Sequence, residues 1–346
     1  MWVMTLCAGL VAMLGCLDTR AATSNPARNS AQPSSSATHS SIDSEVSAIA
    51  SLSLEDLMNV QVTSVSKRSQ ALSEAPAAIH VITQEDLRRL GISSIPEALR
   101  LAPGMHVARQ DGSSWAISSP GFTDIFANKL LVMMDGRSVY TPLFSGVYWQ
   151  LQSTLMEDVD RIEVIRGPGA TLWGANAVNG VINIITRSSR ETQGTLITGG
   201  MGLQEKGFGA VRHGGKLANR TYFKLYGKYF DQDDTYQPND SRSNDAHDFQ
   251  QGGFRLDSYP SDNNTFTLQG DGYYGRFDQT VLSTGSTLVP GLVPAPVDRN
   301  GQNILGRWQH EQSDTSKLQV QTYWDRTFQE EIRLSEERNT FDLDIQ

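Results

Sequence analysis

Residues 161–186 read RIEVIRGPGATLWGANAVNGVINIIT. Two short runs of β-branched residues, Val164-Ile165 and Val181-Ile182 with Ile184-Ile185, enclose a connection punctuated by Gly167, Pro168, Gly169, Gly174 and Gly180. Apolar runs of this length bounded by glycine and proline have the composition of buried strands, so the stretch predicts a packed strand, loop, strand unit. A phosphate cradle is the rival for a glycine-rich loop after a strand. It would need G-x-x-x-x-G-K-[ST], or G-x-G-x-x-G opening a helix, and neither spacing is present. Pro168 also removes one of the backbone N–H groups that a phosphate would use.

The same string, with Arg166, Gly167, Pro168, Gly169, Trp173, Gly174, Asn176 and Gly180 at its centre, resembles the end of the plug domain of TonB-dependent outer-membrane receptors. LLVMMDGRSVYTP at 130–142 and APAAIHVITQEDLRRLGISSIPEALRLAPGM at 75–105 match that plug in the same order. Three ordered motifs over about 110 residues are far more specific than one. The resemblance implies an α+β plug domain, a small mixed sheet with short helices, followed by antiparallel transmembrane β-barrel strands. It also implies a Gram-negative outer-membrane location, a TonB energy transducer as periplasmic partner, and a small-molecule ligand such as cobalamin or a ferric siderophore.

Composition agrees with these bounds. The chain has 346 residues, 38% of them hydrophobic, and beyond the N-terminus no apolar run reaches the roughly 18 residues that a spanning helix needs. Membrane embedding would therefore be by β-barrel, with outer-membrane lipid as a partner. The net charge of −9 leaves no basic excess for nucleic acid.

Residues 1–17 are apolar and precede Ala21-Ala22, which predicts a signal peptide over 1–22. Its basic n-region is missing, so the true start is expected upstream. Cys7 and Cys16 both lie in this leader, Cys16 in a poor lipobox, so the mature chain is expected to have no cysteine chemistry. Residues 23–53 are rich in Ser, Ala, Thr, Asn and Pro and read as a disordered linker. In 54–70, Val60 and Val62, then Val65, sit among polar residues in an extended pattern suited to strand addition at a partner's sheet edge. By position, Asn59, Val60, Gln61, Val62, Thr63, Ser64 and Val65 resemble the TonB box; an ordinary first plug strand is the alternative.

The plug is expected over 71–190. Ile79, Val81 and Ile82 mark a strand; Thr83 with Asp86 caps a helix that ends at Gly91, and Ser94 with Glu97 caps a second. Asp135-Gly136 turns the 130–134 strand back as a hairpin. Two loops, 110–128 and 141–154, carry Trp115, Phe122, Phe126, Phe144, Tyr148 and Trp149, with Tyr140 just before the second. Such aromatics either pin a loop down or meet a ligand. The resemblance makes them candidate ligand-facing residues, although Pro120-Gly121-Phe122 stands where the family usually has Arg-Gly-Phe.

From 191 to 346 the pattern alternates. Phe223, Leu225 and Tyr229 oppose Lys224 and Lys228; Phe266, Leu268 and Tyr274 oppose Thr265, Thr267, Gln269 and Asp271; Leu318, Val320 and Trp324 oppose Lys317, Gln319, Gln321 and Asp325. Runs of this length fit barrel strands better than a soluble sandwich. About eight are expected, near 194–202, 206–217, 219–231, 248–258, 263–277, 301–311, 315–330 and 339–346. That is an incomplete barrel against roughly 22 strands in the family, and the expectation is an N-terminal fragment. No catalytic constellation, cofactor motif or metal-ligand spacing is visible among the six histidines, so no enzyme is expected. His106 is noted because haem receptors of the family use histidine ligands. The acidic residues Asp231, Asp233, Asp234, Asp240, Asp245 and Asp248 suggest a loop that collects cations or one that is simply solvated.

Overall fold

The computed structural model describes residues 61–62, 70–71, 73, 77–119, 129–167, 169, 173–174, 176–239, 241–283, 291–313, 316–331 and 334–346. The leader, the linker, Asn59, Val60, Thr63, Ser64, Val65, Phe122, Phe126 and Pro168 lie outside the described residues.

Two short strands, β1 (Gln61–Val62) and β2 (Gln70–Ala71), come first. The plug follows with β3 (Ala78–Thr83), β4 (His106–Arg109), β5 (Trp115–Ser118), β6 (Leu130–Met134), β7 (Arg137–Ser138), β8 (Val159–Arg166) and β9 (Gly180–Thr186). Its sheet has the order β3-β8-β9-β6-β7, with β6 parallel to β9 and the other pairs antiparallel. The helix α1 (Gln84–Arg89) has the capping box foreseen: Asp86 N–H donates to the Thr83 hydroxyl at 3.2 Å and Thr83 N–H to the Asp86 carboxylate at 2.9 Å. Gly91, at φ 62°, stands just past its end. The second capped helix, α2 (Ile95–Ala98), is only one turn and tightens into a 3-10 turn at Leu99–Leu101.

All five residues of β6 are buried, because apolar clusters cover both faces of the sheet. Ile82, Leu87, Leu99, Val132, Ile162 and Ile184 pack one face; Leu131, Met133, Ile165 and Val181 pack the other. LLVMM therefore reads as a continuous apolar run rather than an alternating one. The plug thus owns its core.

The second part is one antiparallel sheet of β10 (Gly194–Gly200), β11 (Glu205–Ala218), β12 (Thr221–Gln232), β13 (His247–Ser261), β14 (Asn264–Phe277), β17 (Val297–Ser313), β18 (Ser316–Glu330) and β19 (Ser335–Ile345). These are the eight strands expected, with β17 and β19 starting about four residues earlier. The hairpin of β15 (Thr280–Ser283) and β16 (Gly291–Pro294), which the sequence reading missed, is inserted between β14 and β17. The sheet is open, since β10 and β19 stand at its two ends. Side chains alternate as the sequence implied: Lys224 is 4% exposed toward the plug, whereas Leu225 is 54% exposed on the outer face. Among the described residues no helix is long and apolar enough to cross a membrane.

Candidate functional site at the plug and wall interface

The wall's inner face is polar, and so is the plug surface it meets. Asp158, at the end of a 3-10 turn before β8, binds the Arg212 guanidinium and lies 2.9 Å from Lys224 Nζ; Lys224 also donates to the Arg187 carbonyl at 2.9 Å. Asp135 and Gly136, at φ 50° and 83°, make the tight turn between β6 and β7 that Asp-Gly predicts. The turn aims the Asp135 carboxylate at Thr186 N–H (2.8 Å), the Thr186 hydroxyl (2.7 Å) and Gln269 Nε2 (2.9 Å), while Arg307 donates to its carbonyl. Burial opposes its charge, but Arg255 and the Thr186 and Gln269 donors outweigh that and hold the carboxyl below its ordinary value. Arg137, Asp325 and Arg338 form a further chain, which ends on the Tyr140 carbonyl. Where the plug runs into the wall, Ser189 donates through N–H (2.7 Å) and hydroxyl (2.8 Å) to Asp257, and Arg190 lies over Tyr222 and Tyr259.

The strand connections distinguish the two ends of the sheet. The β11–β12, β13–β14 and β17–β18 links are two residues long, whereas 233–246 and 278–296 are long. In outer-membrane barrels short turns face the periplasm and long loops the outside. The β4–β5 hairpin tip lies at the long-loop end: Arg109 donates to Gln232 at 3.1 Å, and Gly112 N–H to buried Asp245 at 2.7 Å. A Cβ on Gly112 would come within 2.4 Å of the Asp245 carbonyl, so this approach requires glycine. The 141–148 segment lies at the same end, where Thr141 and Tyr148 hydroxyls donate to Glu336 at 2.9 and 3.2 Å and Gln329 donates to the Tyr148 oxygen. Burial and the Glu336 charge push the Tyr148 phenol above its ordinary value.

The candidate aromatics divide accordingly. Trp115 is half-buried beneath Arg100 and Arg109, at 5.3 and 5.6 Å. Phe144 meets Tyr148 edge-on at 4.7 Å, and Tyr140 is half-buried. Trp149 is 5% exposed and packs into the plug core. Within the motif, Arg166 is exposed at the end of β8, and Gly167 and Gly174 have φ of 104° and 86°. Gly180 must lack a side chain because a Cβ would meet the Ile165 carbonyl at 2.6 Å. The Gly167 N–H donates to the Asn179 carbonyl and the Gly169 N–H to the Ala177 carbonyl, at 3.1 and 2.9 Å; Trp173 packs on the second core cluster, and Asn176 is half-buried. Among the described residues, the Gly167, Gly169, Trp173 and Ala177 amides thus serve to close the loop. Val62 is buried.

Sequence reasoning missed an aromatic patch on the inner wall. Phe230 stacks on Phe249, and Phe249 on Tyr273, each at 5.5 Å; Phe277 stacks on His247 at 5.5 Å under Arg299, and Leu151 of the plug packs against the group. The available signal was parity: Phe230 follows the outward Tyr229 and so must point inward. Part of the acidic run serves its own loop: Asp234 accepts from the Asp245 and Ala246 amides, and Asp233 pairs with Arg242 at 2.9 Å. Among the described residues no group of three or more His, Cys, Asp or Glu could hold a metal ion.

A globule with its own core, joined mainly by polar contacts to an antiparallel sheet that is apolar outside, has the arrangement of a plug against barrel-wall strands. Residues 71–181 match the TonB-dependent receptor plug domain. That plug, with the wall strands after it, is what the chain shares with TonB-dependent receptors, which are Gram-negative outer-membrane proteins. It is 32% identical over 142 residues to a vitamin B12 transporter of Vibrio cholerae, covering 41% of this chain and 23% of the relative. It is 29% identical over 173 residues to that of Vibrio vulnificus, covering 49% and 27%. The ferripyoverdine receptor of the Pseudomonas aeruginosa outer membrane superposes with a TM-score of 0.60 at 15% identity, covering 79% of this chain and 37% of that one. The ferric yersiniabactin uptake receptor of Yersinia pestis gives 0.58 at 17%, covering 74% and 41%. The chain spans about a quarter of the curated relatives' length and under half of either solved structure.

Proposed function

We propose that the protein is a TonB-dependent transporter that imports a scarce small molecule, of the kind represented by cobalamin or a ferric siderophore, and performs no catalysis. The observation that carries this reading is the plug's own apolar core, joined to the wall mostly by ion pairs and hydrogen bonds, with one small apolar patch at Leu151. Polar contacts can be exchanged for water as the plug shifts, whereas tearing a shared apolar core would expose about 25 cal/mol for each Å² parted. Ligand binding at the long-loop end would release the segment around Asn59 to Val65 to the periplasm. TonB would add to it as a strand, and the applied force would rearrange or partly extract the plug. The relatives' names motivate the ligand class.

The test is uptake of radiolabelled cyanocobalamin and of iron-59 siderophores by cells carrying the intact gene, with and without residues 59–65, in the presence and absence of TonB. Accumulation that needs both TonB and the segment, with surface binding unchanged by the deletion, is expected. Binding without energised accumulation would replace import by a sensing receptor on the same scaffold.

A further inference from the structure

Between the plug and strands β11 to β13 lies a cavity of about 90 Å³. That is room for several water molecules. Three aromatic side chains, Trp115, Trp149 and Phe230, and four charged groups, Glu97, Arg109, Glu205 and Lys228, line it. His247, stacked on Phe277, is the remaining titratable group of the lining.

The four charges leave much of their bonding capacity unused. Lys228 gives two protons to neutral oxygens, the Ser153 hydroxyl at 2.9 Å and the Thr154 carbonyl at 2.8 Å. An ammonium has three protons to give, so one remains. Arg109 uses Nε and Nη2 on the Asp111 and Gly112 carbonyls and Gln232, all neutral, and leaves Nη1 free. Glu97 accepts on one oxygen only, from the Ser93 hydroxyl at 3.4 Å and from no cation, and the Glu205 carboxylate accepts from no described residue. Among the described residues none of the four forms an ion pair, although Lys228 lies within electrostatic reach of Glu157 and, more weakly, of Glu205.

Charges held apart in one small cavity cost desolvation without the return that pairing gives. An anion alone would meet two carboxylates, and a cation alone would meet two basic groups. We propose that this cavity is a binding site for a small zwitterion, the ammonium and carboxylate of an α-amino acid of the size of glycine or alanine. The carboxylate takes the free protons of Lys228 and Arg109; the ammonium sits with Glu205 and Glu97. Trp115, already beneath Arg109 at 5.6 Å, and Phe230, 5.8 Å from Lys228 Nζ, fix those cations in place. The site's place on an import route rests on the transport reading; its chemistry does not.

The test is calorimetric titration of the intact protein in detergent micelles with glycine, and with acetate and methylammonium as probes of each half. Saturable glycine binding is expected, at least tenfold tighter than either half-probe. Lys228→Met and Glu205→Gln should each weaken it at least tenfold with an unchanged melting profile. Should Lys228→Met not fold, Arg109→Gln replaces it as the cation-side variant. Acetate binding as tightly as glycine, no saturable heat with the folded protein, or indifference to both variants would overturn the proposal. Deleting residues 59–65 should leave glycine binding unchanged, so loss of uptake with glycine still bound removes the transport reading and not this site.

Discussion

Asp158 holds two wall cations with one buried carboxylate. Asp158→Asn leaves Arg212 and Lys224 buried without their counter-charge, and breaking such a pair costs about 3–5 kcal/mol. A double-mutant cycle with Lys224→Met, read by plug amide exchange, should show that the two losses do not add. Asp135 predicts a pH dependence. Its folded pKa lies below the ordinary 3.8, so its stabilisation is fully present above that value and is lost as pH falls through the folded one. Asp135→Asn should remove that acid-side loss of plug protection; an unchanged acid profile would assign it to other carboxylates. The sequence showed Asp135 only as a turn residue, and nothing near Asp158 announced its role. Their partners lie 51 to 134 and 54 to 66 residues away. Pairing across such distances is set by the fold.

At the scale of elements, short-range signals were legible and tertiary ones were not. Thr83, Asp86 and Gly91 announced α1 because caps act within one turn. Thr83→Ala should cost about 1 kcal/mol, visible as faster exchange over 84–89 with the sheet unaffected. Ser94 announced α2 equally well, yet the helix stops after four residues, where Leu99 is drawn into the core. The strands β15 and β16 went unseen because four-residue runs across a long loop carry too little periodicity. Wall alternation was plain, and it makes a face-specific prediction for β12. Leu225→Arg places a guanidinium on the lipid side and should cost up to about 2–4 kcal/mol in folding into bilayers. The inward aromatics of 230, 249 and 277 were overlooked because polar-in, apolar-out was applied as a rule; the inner wall admits an apolar patch where Leu151 covers it.

For the whole molecule, the division into a plug and an alternating sheet followed from a change of period near residue 190, from short apolar runs to a strict dyad. How the two parts meet did not follow, because a residue facing the plug and one facing open water look alike in sequence. On the transport reading the plug is a separate cooperative unit, secured in its wall mainly by exchangeable polar contacts beside one small apolar patch at Leu151. Native-state hydrogen exchange of the intact protein in micelles, followed through rising urea, measures this directly. The expected result is that β3, β6, β8 and β9 open together at a lower free energy than β12, β13, β14 and β17, with the gap widening in Asp158→Asn. Plug and wall strands merging into one unfolding isotherm, in the native protein and the variant alike, would contradict it.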